Sequence, residues 1–154
     1  MANVIAVAEH VLKRLGSSST MKLQKIVYYS QAYHLIRYGQ PLFCERIEAW
    51  RNGPVIRDLY DLHAHEFVIS DGYFGVDLTT GQLQEHEVAV IDHVVNVLGN
   101  RTGRELSELT HSEAPWRDAR GGIPDDWGSN SLISVEAIKD YYGSPACANP
   151  VFAN

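Results

Sequence analysis

The segment "MKLQKIVYYSQAYHL", Met21 to Leu35, decides how the rest of the chain is read. It holds helix-forming residues throughout and neither Gly nor Pro. At about 100° per residue, Leu23, Ile26, Val27, Ser30, Tyr33 and His34 fall on one side of a helix. Met21, Tyr28, Ala32, Leu35 and Ile36 fall on the other. Only Gln24 and Gln31 on one flank, and Lys22 and Lys25 on the other, interrupt the apolar surface. A helix apolar nearly all round is packed by neighbours on several sides. The spacing therefore predicts a central buried helix over about residues 20–38, stopped by Gly39 with Pro41 behind it.

Upstream, Val4, Ile5, Ala8, Val11, Leu12 and Leu15 make one helix face, with Gly16 as the stop. Thr20 is then placed to cap the central helix. Downstream, "RIEAWRNGP" changes period: Ile47 and Ala49 alternate with Glu48 and Trp50, the pattern of a short strand. Asn52-Gly53 reads as a turn, and Pro54 as the first residue of a third helix through Val55, Ile56, Leu59, Tyr60 and Leu62. Residues 66–82, rich in Gly, Thr, Val and aromatics, read as one or two further short strands.

"EHEVAVIDHVVNVLGN" predicts a fourth helix with Val88, Ile91, Val94, Val95 and Leu98 inward and Gly99 as its stop. Thr102 to Glu105 has capping-box spacing and opens a helix that ends before Pro115. "RGGIPDDWGSNS" is a loop, and Ser134 caps a last helix, Val135 to Tyr142. Together these signals give an α+β domain, predominantly helical, with about six helices and a small antiparallel β-sheet around residues 45–52. Residues 1–142 are expected to form this single domain and residues 143–154 a C-terminal tail.

At 154 residues the chain is long enough for one domain with a full core. Its 45% apolar and 21% charged residues are globular rather than disordered composition. No apolar run reaches the roughly 20 residues of a membrane helix. The start "MANVIAVAEHVLKRL" is amphipathic, with Glu9 and His10 early, and does not read as a signal peptide. Cys44 and Cys147 belong to no pairing motif, so a reducing cytoplasm is expected.

The net charge of −6 is unevenly spread. Residues 1–37 carry five Lys/Arg against Glu9 alone, whereas residues 78–154 carry five against eleven Asp/Glu. An acidic half disfavours nucleic acid, which is held by phosphate neutralisation, and favours encounter with a basic protein or simply solubility.

Chemical signatures are sparse. His63 and His65, two apart, point about 200° apart on a helix and read as solvent-exposed histidines at a helix end. His86 and His93 lie two turns apart, about 10 Å, too far for one zinc. His111 beside Glu113 and "APW" is a general-base candidate with Ser107 or Ser112 as nucleophile. No GxSxG elbow or Gly-rich phosphate loop stands near it, so a bracing role against the Trp116 turn is favoured. Cys44 lacks the basic surroundings that activate a thiol. Lys22 and Lys25 with Tyr28 and Tyr29 could stack on a base, a reading the acidic chain opposes. The balance is a non-enzymatic binding protein with no catalytic residue, no metal and no cofactor.

The order "MKLQKIVYYSQAYHL", then "PLF" after Gly39, then "IEAWRNGPVIRDLY", then "ELTHSEAPWRDAR" resembles the Panacea domain, the antitoxin family that includes SocA-like and phage-associated proteins. The resemblance runs from about Met21 to Tyr142. It is carried by Lys22, Gln24, Lys25, Tyr28 and Tyr29, by Glu48 with Trp50, Gly53 and Pro54, and by His111 with Pro115 and Trp116. Arg51-Asn52 stands where members often have a Lys-Tyr pair.

The resemblance implies a small, mostly helical domain that neutralises a cognate toxin protein by direct binding. SocA-like members also imply an alternative, an adaptor delivering the toxin to an ATP-dependent protease. A phage-encoded factor acting on a host protein and a hydrolase using His111 are further alternatives. Trp50, Arg51, Asn52 and Arg57 are the candidate toxin contacts, because Trp and Arg anchor interfaces; a core position for Trp50 is the competing reading. The other motif residues are expected to be structural, and neither nucleic acid nor membrane is expected as partner.

Overall fold

A computed structural model describes residues 1–75 and 83–153. Among these are seven α-helices, one of them central and the other six around or beside it. Helix α1, Val4–Leu15, is capped by Asn3, whose side chain accepts from the Ile5 N–H, and ends at Gly16. A short strand β1, Ser17–Ser19, leads directly into α2, Thr20–Tyr38. The cap of α2 is Ser19, which accepts from the Lys22 N–H at 3.1 Å. Thr20, predicted as the cap, instead donates its hydroxyl to the Glu66 carbonyl at 2.9 Å. Either hydroxyl suits that role, and β1, which pairs antiparallel with β4 (Val68–Ser70), sets the choice by a single residue.

Strand β2, Ile47–Trp50, pairs antiparallel with β3, Gly53–Ile56, so that Trp50 faces Gly53 and Ala49 faces Pro54. The turn is therefore Arg51-Asn52, and Pro54 lies in a strand rather than at the start of a helix. Proline holds φ near −65° and lacks an N–H, which suits the first turn of a helix and equally an edge strand. β3 is such an edge, in the order β3-β2-β5, and helix α3 begins only at Arg57, running to His63. The third strand, β5 (Leu132–Ile133), arrives from far along the chain. Of the strands expected over residues 66–82, β4 is observed, and residues 76–82 lie outside the described ones.

Helix α4, Glu85–Leu98, has a capping box between Gln84 and Glu87. Helix α5, Gly103–His111, has the one expected between Thr102 and Glu105. A helix the sequence did not announce, α6 (Ala114–Arg120), follows at once, with Pro115 in its first turn. Helix α7, Val135–Tyr142, is capped by Ser134 as expected.

The last segment folds back onto the body: Val151 is buried, and a single 3₁₀ turn spans Pro150–Phe152. No described helix is long and apolar enough to cross a membrane.

Helix α2 packs against α1, α4, α5, α7 and β3, which makes it the axis of the molecule. Every residue from Leu23 to Ala32 is buried, and that includes Gln24, Lys25 and Gln31, which the sequence had placed on polar flanks. Burying an amide is favourable only with partners. Gln31 has them: its Nε2 donates to Phe43 O at 2.8 Å, and its Oε1 accepts from Leu42 N at 2.6 Å. That clamp pins the chain after Gly39 against the helix. Tyr29 and Tyr142 donate to Glu113 Oε1 at 2.6 and 2.7 Å, while Asn149 donates to its Oε2 at 2.8 Å. Glu113 thus ties α2, α7, the α5–α6 junction and the C-terminal segment together.

Candidate functional site

One charged side chain of α2 has no such partner. Lys25 is 1% exposed, and among the described residues its ammonium makes no hydrogen bond or ion pair. Burial pushes it from its ordinary 10.5 down to about 7. Lys25 lines a cleft of about 660 Å³ between the start of α2, the β2–β3 hairpin, the end of α3 and the loop at Gly128 and Ser129. The cleft's other walls include Met21, Gln24, Trp50, Arg51, Asn52, Tyr60, His63, His65, Glu66 and Phe67.

Local interactions hold that wall in place. Gln24 Oε1 accepts from Ile56 N at 2.9 Å, and its Nε2 lies 2.9 Å from His63 Nε2. The amide therefore donates to Nε2 and leaves the imidazole proton on Nδ1, which is buried without a partner. His63 is buried, contrary to the exposed position expected from its helix end, because it lies four residues after buried Leu59 on the inward face of α3, against Gln24. Desolvation lowers its pKa, so it is neutral near pH 7. His65 is exposed and has a positive φ of 74°. A histidine pair chelating one ion is not formed, and no cluster of three His, Cys, Asp or Glu fit for a metal occurs among the described residues.

Gly53 explains itself here. Its φ is +119°, and a Cβ on it would run into Lys25 Cε and come within 2.9 Å of Thr110 Oγ1. Only glycine lets the hairpin close over the lysine stem.

Trp50 is half-buried. Its Nε1 donates to Glu48 Oε1 at 2.8 Å, and its ring meets Tyr60 edge-on at 4.7 Å between centroids. The Arg57 guanidinium lies 5.7 Å from the Trp50 ring and 3.7 Å from Glu48 Oε1. Arg51 and Asn52, at the hairpin tip, are exposed, although the Asn52 carbonyl accepts from Ser107 Oγ at 2.6 Å. The four candidate contacts thus form one neighbourhood, with Trp50, Arg51 and Asn52 on the cleft and Arg57 behind Trp50.

The remaining motif residues make internal contacts. Trp116 donates its Nε1 to Trp50 O at 2.7 Å, stacks on His111 with centroids 3.8 Å apart, and carries the Arg120 guanidinium 4.7 Å from its ring. Pro115 is buried in the first turn of α6. Ser107 is committed to Asn52 O and Ser112 to Leu109 O, so neither is poised against the His111 imidazole. Desolvation also lowers the pKa of His111. Lys22 donates to Gly99 O and so caps α4. Tyr28 joins Tyr142, hydroxyl to hydroxyl, at 3.0 Å. Cys44 and Cys147 are free thiols.

The sequence did not single out Tyr60 or Phe67 as wall residues. They sit beyond a turn whose register it misjudged. One signal was available: a buried-helix lysine directly after a buried-helix glutamine, opposite an Asn-Gly-Pro turn.

Comparison with known proteins bears on this arrangement. The family model "Antitoxin SocA-like, Panacea domain" matches residues 23–117, well over half of the chain. The chain belongs to this antitoxin family. The Panacea match opens at Leu23 inside α2 and closes at Arg117 inside α6, so it takes in the hairpin, α3 and α5 but neither α1 nor α7. The chain is also similar to Antitoxin SocA of Caulobacter vibrioides (strain NA1000 / CB15N), 24% identical over 134 residues that cover 80% of this chain and 71% of that protein. No solved structure matches this Panacea domain.

Proposed function

We propose that this chain is the antitoxin of a two-gene system that neutralises its cognate toxin by direct protein–protein binding in the cytoplasm, without catalysis. One observation carries the reading. The exposed tip Arg51-Asn52 and the half-buried Trp50 crown a cleft whose walls and supports are the residues that carry the family resemblance. Trp, Tyr and Arg at the rim of a preformed pocket are the residue types in which interface energy concentrates. Arg57 braces Trp50 from behind. The antitoxin name of the Caulobacter relative agrees with this reading.

Co-expression tests it. The open reading frame beside this one, induced alone, is expected to arrest growth, and the wild-type chain to relieve the arrest. Arg51→Glu is expected to relieve it at least tenfold less well, with an unchanged circular dichroism spectrum and melting point. A neighbour that is harmless when induced alone contradicts the antitoxin reading, and full rescue by Arg51→Glu contradicts the choice of surface.

A further inference from the structure

A buried ammonium with no counter-ion is expensive, and a protein selected only for stability would carry an apolar side chain of the same length there. Every other buried polar side chain of α2 described above has found a partner; Lys25 has not, yet it lines an open cleft. Two further donor-bearing residues line the same cleft. Arg51 stands at the mouth, and His63 keeps a buried Nδ1 without a partner in the wall. Groups left unpaired around a cavity mark the charge of what the cavity receives.

We propose that the cleft is a receptor for one Asp or Glu side chain of the partner protein, with the Lys25 ammonium as its counter-ion and Arg51 closing over it. This rests on the antitoxin reading for the identity of the partner, but not for the chemistry of the pocket. Three observations choose a protein carboxylate over a free anion. The chain is net acidic, at −6, so small anions are not concentrated at its surface. Glu66 lines the same cleft and opposes a doubly charged group such as phosphate. The walls are apolar and aromatic, from Met21, Trp50, Tyr60 and Phe67, and Phe67 is 87% exposed. A volume of about 660 Å³ is several times that of one carboxylate side chain. It accommodates the acidic residue together with apolar neighbours from the same segment.

The test is a peptide display library selected against the wild-type chain, with Lys25→Met as the counter-selected protein. The wild type is expected to enrich peptides with an internal Asp or Glu flanked by apolar residues. Changing that residue to Asn or Gln is expected to weaken binding at least tenfold in titration calorimetry. Lys25→Met is expected to melt at a temperature equal to or above the wild type and to lose the same factor. Should that variant fail to fold, Arg51→Glu, which changes only an exposed side chain, is expected to weaken the same peptides at least fivefold.

The proposal is overturned by enriched peptides without an acidic residue, or by dependence on a free C-terminal carboxylate. Equal affinity for folded Lys25→Met, or displacement by millimolar acetate or phosphate, overturns it too. If acidic peptides bind but the neighbouring gene encodes no toxin, the pocket chemistry stands and the antitoxin reading falls. If Lys25→Met still neutralises a toxin fully, the reverse holds.

Discussion

Lys25 places opposing demands on the fold and on the cleft. In the unfolded chain its ammonium titrates near 10.5, and burial brings it to about 7 in the folded one. Between those values the unfolded state binds more protons, so stability rises with pH across this window and the cost of the buried charge is present in full below it. From about pH 7 to pH 9 the wild type is expected to gain about 2 kcal/mol relative to Lys25→Met, measured by urea unfolding of both proteins. Parallel curves for the two proteins would show that the amine is not buried as described.

Gly53 offers a second test at this scale, because its left-handed backbone and the lysine stem leave no room for a methyl group. Gly53→Ala is expected to cost about 2 kcal/mol in the same assay, and an unchanged midpoint would contradict the packing. The sequence flagged both positions through the family resemblance and marked Gly53 as a turn glycine. What it could not give was that one residue constrains the other, because they lie 28 positions apart and only the packed hairpin brings them together.

Elements were legible where a single physical period dominated. The central helix could be read because apolar side chains on all its sides exclude a surface position, and α1, α4 and α7 because one stripe, a stop glycine or a capping residue agreed. Two elements were misread for a definable reason. Pro54 satisfies the requirements of a helix start and of an edge strand alike, and pairing with β2, a tertiary fact, decides for the strand. Pro115 was taken as the end of one helix when it is the start of the next, α6.

The junction of α5 and α6 is held by Glu113, whose two oxygens receive Tyr29, Tyr142 and Asn149. Burial raises its pKa against the pull of those donors. Glu113→Ala leaves several buried hydroxyl and amide groups unpaired and is expected to cost about 3 kcal/mol in urea unfolding. The same geometry makes the C-terminal segment part of the core. Removal of residues 144–154 takes away Val151 and Asn149 and is expected to lower the melting point by several degrees. That truncation therefore reports on the fold before it reports on any delivery of a toxin to a protease.

For the whole molecule, the division of labour runs along α2. Its C-terminal half is used in packing against α4, α7 and the segment after Gly39, while its first turns present Met21, Gln24 and Lys25 to the cleft. The acidic C-terminal half contributes less surface charge than its composition suggests, since Glu87 and Glu113 are buried. The rest gives the chain a negative exterior around a cleft whose deepest charge is positive, a pattern suited to a basic partner that carries one inserted acidic side chain.

Hydrogen exchange on the chain bound to the toxin proposed as its partner, the product of the neighbouring reading frame, tests this most directly. The expected footprint is slowed exchange at residues 20–25, 50–53 and 63–67, with α4 and α7 unchanged from the free chain. Protection confined to α4 and α7, with the hairpin and the cleft exchanging as in the free chain, would contradict it.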